Sequence, residues 1–352
     1  MQTKPLAPLD LAHVLENAGT ALLKLRGAHL FLTGGTGFFG HWLLESLLYA
    51  NQQLGLGLHI TALTRSAAAF QARSPHLASD PALTFLEGDI RNFEYPARHV
   101  THILHAATDS TGAQAKQAPY HLSESILDGT RHVLRLALRD GASSAAPKIR
   151  LLYVSTGAVY GRSTTLLNTP ETYSGSPDPL QVASAYDEAK RMAENLCISF
   201  AAEGHFEPVI ARCFSFLGPH LPLDAHFAIG NFLAAALEAR PIHIKGDGTP
   251  RRSWLYMADL AVWLWTMLCE GAAGRAYNVG SNEGYTIAEA AQLTAATLHP
   301  GLPIRIDQQA KSDTPLNSYV PEIQRAQQEL GLHVRIGLPE ALERTAAWHK
   351  SV

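Results

Sequence analysis

The chain reads as an α/β protein: a doubly wound parallel sheet with a smaller C-terminal lobe. Three observations predict it. Short apolar strands alternate with amphipathic helices from His29 to Cys213, the pattern of a parallel sheet covered by helices on both faces. A glycine-rich turn, Thr33-Gly-Gly-Thr-Gly-Phe-Phe-Gly40, joins the first of these strands to the first of these helices. After Arg212 the alternation breaks at Gly218-Pro219-His220-Leu221-Pro222.

Each element follows from local pattern. Residues 9–26 carry apolar side chains at helical spacing and predict a helix before the sheet, an extension that packs. His29–Thr33 is the first strand, Phe38–Leu54 the first sheet-covering helix and His59–Leu63 the second strand. Thr84–Glu87 and His102–His105 are the next short strands. A long helix over Tyr120–Arg139 follows, then strand Arg150–Ser155, helix Ala185–Ala202 and strand Pro208–Cys213. Beyond the break, the pattern predicts a helix over Ile229–Ala239 and a basic loop over Gly246–Arg252. A helix over Met257–Cys269 and a strand over Ala276–Val279 then return to the sheet.

At 352 residues the chain exceeds the usual size of a single core. Its 28 basic and 31 acidic residues give a net charge of -3 without long runs. That balance argues against nucleic acid and against an anionic membrane surface as partners. Cys197, Cys213 and Cys269 stand apart in apolar surroundings; they read as core thiols in a reducing compartment and make no metal-spaced set. No apolar run approaches the roughly 20 residues that span a bilayer, and no basic start precedes an apolar stretch at the N-terminus. A soluble, cytoplasmic protein is expected.

The context of the glycine turn gives it meaning. Glycines between an apolar strand and a helix permit a tight turn and close approach of the backbone to a pyrophosphate, whose charge the helix N-terminus stabilises. Gly34, Thr36, Gly37, Phe38, Phe39 and Gly40 are therefore candidate dinucleotide contacts. The second strand ends Ala62-Leu63-Thr64-Arg65-Ser66, with no carboxylate where an NAD binder presents one to the adenosine ribose. Arg65, with Ser66 as a neutral donor, could instead meet a 2′-phosphate, so NADP is preferred over NAD. Asp89 and Ile90 are candidate adenine contacts, and Ala106 and Ala107 leave room for the cofactor after the fourth strand.

Tyr186 and Lys190 lie one helical turn apart, on one face. A fixed ammonium beside a phenol favours the phenolate and brings an acid of reference pKa about 10 toward working range. Thr156 ends the strand that precedes this helix.

With the glycine loop and the Tyr-Lys pair, further segments carry a resemblance. They are Leu152-Tyr-Val-Ser-Thr-Gly-Ala-Val-Tyr-Gly161, Ile210-Ala-Arg-Cys-Phe-Ser-Phe-Leu-Gly-Pro219, Gly246-Asp-Gly-Thr-Pro-Arg-Arg-Ser-Trp254 leading to Asp259, and Tyr277-Asn-Val-Gly280. In this order they resemble the extended short-chain dehydrogenase/reductase family, in its nucleotide-sugar epimerase/dehydratase group, over roughly residues 28 to 300. The resemblance implies a Rossmann-type domain over 28–214 and 254–280, a nucleotide-sugar substrate lobe over 215–253 and 281–352, and an N-terminal extension over 1–27. It implies that Thr156 hydrogen-bonds the reacting sugar oxygen, that Tyr186 exchanges the proton, and that Lys190 holds the nicotinamide ribose and depresses the Tyr186 pKa. Arg252, assisted by Arg251, would meet the substrate's diphosphate, and Asn231 would face the nucleotide. A homodimer through the helices at Tyr120–Arg139 and Ala185–Ala202 is expected on the same ground.

Two departures narrow the chemistry. The 4,6-dehydratases of this family follow the catalytic Thr with an acid pair; here Gly157 and Ala158 stand in those positions. Within Ile126-Leu-Asp-Gly-Thr130, Ile126 replaces an Asn common among relatives. The leading expectation is an oxidoreductase that reduces a 4-keto (6-deoxy) sugar nucleotide with NADPH. A 4-epimerase with retained NAD is the alternative. A 4,6-dehydratase, a reductase of uncharged ketones and a non-catalytic dinucleotide sensor stand behind these, the sensor needing no proton donor. His105 and Tyr160 read as packed, hydrogen-bonded side chains with no catalytic role.

Overall fold

The computed structural model describes residues 3–108, 119–142, 147–161, 166–223, 227–311 and 315–350. Met1, Gln2, Ser351 and Val352, at the ends of the expected extension and lobe, lie outside the described residues. Two compact units are present: Met1–Val159, Pro177–Arg212 and Ala261–Tyr277 form the first, and Tyr160–Ser176, Cys213–Leu260 and Asn278–Val352 the second.

The first unit is built on a seven-stranded sheet. Its strands are β1 (His29–Thr33), β2 (His59–Thr64), β3 (Leu83–Glu87), β4 (His102–His105), β5 (Ile149–Thr156), β6 (Phe206–Cys213) and β7 (Arg275–Val279), in the spatial order β7-β6-β5-β4-β1-β2-β3. The pairs β1–β2, β1–β4, β2–β3 and β4–β5 are parallel. Strand order reverses between β1 and β4, so the ends of these two strands open at a switch point where such sheets bind ligands. Thr33 and His105 are register partners there.

Helices cover both faces. On one side α5 (Pro119–Gly141) and α6 (Ala185–Ala201) lie against the sheet. Val133, Leu134 and Ala137 from α5, and Ala189, Ala193 and Leu196 from α6, join Phe31, Ile103, Leu151 and Tyr153 of the strands in one buried cluster. Each Val, Leu, Ile or Phe side chain so removed from water contributes about 2 kcal/mol, and each alanine less than about 1 kcal/mol. On the other side α2 (Phe38–Leu54) buries Trp42, Leu43 and Leu47. There Trp265 of α8 (Met257–Glu270) donates from its indole nitrogen to the Ser46 hydroxyl at 3.1 Å. The three cysteines are buried, with no disulfide between them.

The N-terminal helix is shorter than its apolar pattern suggests. Helix α1 runs Pro8–Leu22 and tightens into a 3₁₀ turn at Leu23–Leu25 before β1. It buries Val14, Ala18 and Leu22. Two short helices that the pattern did not predict, α3 (Ala67–Arg73) and α4 (Pro75–Ala78), fill the connection from β2 to β3. Ser66 caps α3, its hydroxyl accepting from the Ala69 amide.

In the second unit the expected basic loop ends in a strand instead. Arg251–Arg252 forms a short strand, antiparallel to Tyr285–Thr286 and parallel to Ser318–Tyr319. The cause is pairing with segments far along the chain, which no local pattern displays. Helix α7 (Ala228–Leu237) replaces the expected Ile229–Ala239, and Ala239 takes φ 53 just beyond it. Helix α9 (Ile287–Leu298) starts with a capping box between Thr286 and Glu289.

Candidate active site

The glycine loop is closed by backbone packing. Gly34 has φ +76, and a Cβ there would lie 2.7 Å from the Ala106 carbonyl. At Gly40 a Cβ would lie 2.2 Å from the carbonyl carbon of Gly35. Both positions exclude a side chain, Gly34 by conformation and contact and Gly40 by contact alone. Ala106 and Ala107 thus meet the loop through their backbone, and the Ala107 amide donates to the Thr33 hydroxyl at 3.1 Å. Gly37, exposed, is the N-cap of α2 and supplies no capping side chain. A helix start with no capping side chain and a glycine-lined approach fits a dinucleotide's pyrophosphate.

Around the end of β2 charges gather from four elements. Arg65 is exposed, directly after the strand. Glu87, the register partner of Thr64, brings a carboxylate to the same loop and accepts from the Ala67 amide at 2.6 Å. Arg73, in the last turn of α3, donates to the Thr36 carbonyl of the glycine loop at 2.6 Å. Asp89 is held by Arg91 through two bonds of 2.7 and 2.9 Å, and the Arg91 hydrogen bonds are the chief cause of its lowered pKa. Ile90 packs on Gly129, where a Cβ would come within 2.8 Å of its side chain. Glu87 and Arg73 escaped the sequence reading because their approach depends on strand register and on a helix too short to show a period.

The three residues expected to carry acid-base chemistry share the first unit. Thr156 ends β5, buried, and its hydroxyl oxygen accepts from the Ala158 amide at 3.2 Å. Tyr186, half-buried, and Lys190, buried, stand one turn apart on α6. The Lys190 ammonium donates to the Val154 carbonyl at 2.8 Å and lies 4.8 Å from the centre of the Tyr153 ring. A buried ammonium is thereby paired with a carbonyl and an aromatic face. His105 sits behind it, bonded to the Thr33 hydroxyl at 2.7 Å and the Thr130 hydroxyl at 3.2 Å. Burial first, and the Lys190 charge second, push its pKa down to about 3, so it is a neutral, packed imidazole.

One anchor was invisible in sequence. The carboxylate of Glu194, on α6, accepts from the Ser155 hydroxyl and from Arg212 of β6, the latter at 2.7 Å. The strand end that carries Thr156 is thereby tied to the helix that carries Tyr186.

In the second unit Arg251 donates to the Gly284 carbonyl. Arg252 donates to the Arg251 carbonyl at 2.7 Å and to Asn317 at 3.2 Å, beneath the Tyr319 ring. Their half-buried guanidiniums are held by backbone acceptors, as fixed donors for an anion require. Asn231 is exposed on α7. Asp259 accepts the amides of Arg335 and Ile336 at 2.9 and 3.0 Å, and Tyr160 donates to Asn278 at 2.7 Å. Both are structural contacts. Among the described residues no cluster of His, Cys, Asp or Glu could hold a metal, and no helix is long and apolar enough to cross a membrane.

Comparison with known proteins agrees with this arrangement. A model of the NAD dependent epimerase/dehydratase family matches residues 30–280. UDP-glucuronic acid decarboxylase 2 of Arabidopsis thaliana is 30% identical over 322 residues, 91% of this chain and 68% of that protein. The plant's UDP-glucuronic acid decarboxylase 3 is 28% identical over 313 residues, 89% of this chain and 86% of that one. Among solved structures, the UDP-glucose 4-epimerase of Thermotoga maritima with UDP-glucose superposes with a TM-score of 0.72 at 19% identity, covering 92% of this chain and 98% of that one. The dTDP-glucose 4,6-dehydratase DesIV of Streptomyces venezuelae, with NAD and TYD bound, gives 0.74 at 24% identity, over 92% and 97%. These structural likenesses establish the Rossmann-type fold. The chain belongs to the NAD dependent epimerase/dehydratase family, the nucleotide-sugar enzymes of the extended short-chain dehydrogenase/reductase type.

Proposed function

We propose that this protein reduces the C4 ketone of a 4-keto (6-deoxy) nucleotide-diphosphate sugar, with NADPH as donor. The observation that carries the reading is the joint placement of Thr156, Tyr186 and Lys190 in one unit, with Gly157 and Ala158 following the threonine. A bound nicotinamide supplies hydride to the carbonyl carbon. Thr156 hydrogen-bonds the carbonyl oxygen, and Tyr186 transfers its phenolic proton to that oxygen as the C–O π bond opens. The Lys190 charge stabilises the phenolate left behind, which regains its proton from water. With no carboxyl at Gly157 or Ala158, water is not eliminated across C5 and C6 by groups at those positions.

The dinucleotide is bound by Gly34, Thr36, Gly37, Phe38, Phe39 and Gly40, with Arg65 and Ser66 at the adenosine ribose, Asp89 and Ile90 at the adenine, and Ala106, Ala107, Tyr186 and Lys190 lining the remainder. Arg251, Arg252 and Asn231 take the substrate's nucleotide half. The working form is a cytoplasmic homodimer. Its support is the exposed apolar set on α6 and the segment before it, Leu180, Val182, Met192 and Ile198, beside which Tyr120 of α5 is also exposed.

A second reading has a specific observation in its favour. The 30% relative is a UDP-glucuronic acid decarboxylase, and the family is described as NAD dependent. In this reading a retained NAD would take the C4 hydride and later give it back, as in an epimerase or decarboxylase, with Thr156, Tyr186 and Lys190 handling the proton. Denaturing fresh protein and identifying the released dinucleotide by mass spectrometry separates the two. Protein that releases little and, once emptied, binds NADPH above NADH supports the ketoreductase. Stoichiometric NAD supports internal redox, and failure to bind either dinucleotide removes the enzyme reading.

A further inference from the structure

We propose that Arg73 is the second cation of a 2′-phosphate site, closing with Arg65 on the adenosine ribose of NADPH and setting the cofactor preference. The inference rests on the NADPH reading above and adds to it the residue that makes the choice.

In a sheet of this order the adenosine ribose lies beside the end of β2, next to the glycine loop. Arg65 is the first residue after that strand. Arg73 comes from the far end of α3 and is fastened to the same loop: its guanidinium donates to the Thr36 carbonyl at 2.6 Å and lies 5.8 Å from the centre of the Phe70 ring. The carbonyl uses one of the five N–H donors of a guanidinium. A phosphate carrying three acceptor oxygens and close to two negative charges suits two guanidiniums, whereas a ribose hydroxyl needs neither. The Glu87 carboxylate meets the loop that leads from Arg65 into α3, accepting from the Ala67 amide.

The position of Arg73 is braced from behind. The Thr3 amide donates to the Arg73 carbonyl at 2.7 Å. The Ser74 hydroxyl lies 2.7 Å from the Thr3 hydroxyl and 2.9 Å from His41 Nε2, and His41 Nδ1 lies 2.9 Å from the Gly37 carbonyl. A carbonyl only accepts, so Nδ1 carries the proton and Nε2 accepts from Ser74. The N-terminal segment thus clamps the end of α3 to the glycine loop before any ligand arrives, which lowers the entropy lost when the guanidinium binds.

The test uses the full-length protein emptied of dinucleotide. Calorimetric titration with NADPH, NADH and adenosine 2′,5′-bisphosphate is carried out on wild type, Arg73→Gln and Arg73→Ala. Glutamine keeps a donor for the Thr36 carbonyl and removes the charge. The expected result is wild-type preference for NADPH. Arg73→Gln should lose about tenfold in affinity for NADPH and for the bisphosphate, with NADH within about twofold; Arg73→Ala should show the same selectivity if the glutamine variant misfolds. Equal losses for NADPH and NADH would make Arg73 a brace of the loop and overturn its role. A preference for NADPH that is undiminished in the variants also overturns it, while a wild type that binds NADH as tightly as NADPH overturns the cofactor reading and this site together.

Discussion

The Lys190 ammonium donates to the Val154 carbonyl at 2.8 Å, joining α6 to the strand that ends two residues later in Thr156. The bond holds a buried charge one turn from Tyr186 and fixes the face of α6 that carries both. At its buried position that charge acts more strongly on a neighbouring phenol than it would in solvent. Lys190→Met is expected to lower turnover at least about a hundredfold and to move the ionisation of the essential acid to higher pH in the pH–rate profile. An unmoved profile would mean that Lys190 only packs.

Tyr186→Phe removes a hydroxyl and little else. Turnover is expected to fall by about a hundredfold to ten-thousandfold, while calorimetry finds dinucleotide affinity nearly unchanged. Undiminished turnover would refute Tyr186 as the proton donor.

The glycine loop tolerates no side chain at Gly34 or Gly40. Gly34→Ala should destabilise by about 2 kcal/mol or more, from a positive φ and a clash with the Ala106 backbone. Dinucleotide binding should weaken with it. Gly27, also at positive φ but with nothing near its missing Cβ, serves as control: alanine there should cost stability and leave binding intact.

Glu194→Ala leaves Arg212 without its buried carboxylate and Ser155 without its acceptor. The expected loss is about 3 kcal/mol in chemical denaturation, with reduced kcat because Thr156 follows Ser155 directly. A loss below about 1 kcal/mol would show the pair to behave as a surface ion pair.

Glu45 offers a pH test. Buried on α2, it accepts the Leu6 amide at 2.8 Å, with His76 Nε2 3.5 Å from its other oxygen. Burial pushes its pKa up to about 7 from 4.5. A carboxyl raised in the folded state binds more protons there, so its contribution is full below about 4.5 and is lost as pH rises through about 7. Glu45→Gln should match wild type near pH 5 and exceed its stability above pH 8, by up to about 3 kcal/mol. The neutral histidines act oppositely: His41, pushed down to about 4 by burial, adds stability above its ordinary 6.5 that is lost as pH falls toward 4. Identical pH profiles of wild type and Glu45→Gln would remove Glu45 from this account.

What was legible in the sequence is what depends on spacing along a few residues. The turn at Gly34, Gly37 and Gly40, and the i,i+4 placement of Tyr186 and Lys190, carry their geometry with them. The strands and long helices did so too, through apolar period. What stayed hidden depends on register between distant segments: Arg251 and Arg252 became a strand by pairing with Tyr285–Thr286 and Ser318–Tyr319, and Glu87 reached the β2 end as the partner of Thr64. Helix α3 was missed because seven residues are too few for a period, although Ser66 before its first alanine was the available signal.

The central claim is reduction of a sugar ketone at C4 by external NADPH. The direct measurement is to incubate the protein with a 4-keto-6-deoxy nucleotide sugar and NADPH deuterated at the nicotinamide C4, then locate the label in the product. The expected product is a 6-deoxy sugar nucleotide with one deuterium at C4, with one NADPH consumed per product. An inert keto sugar, together with conversion of an unoxidised nucleotide sugar without added dinucleotide, would contradict it.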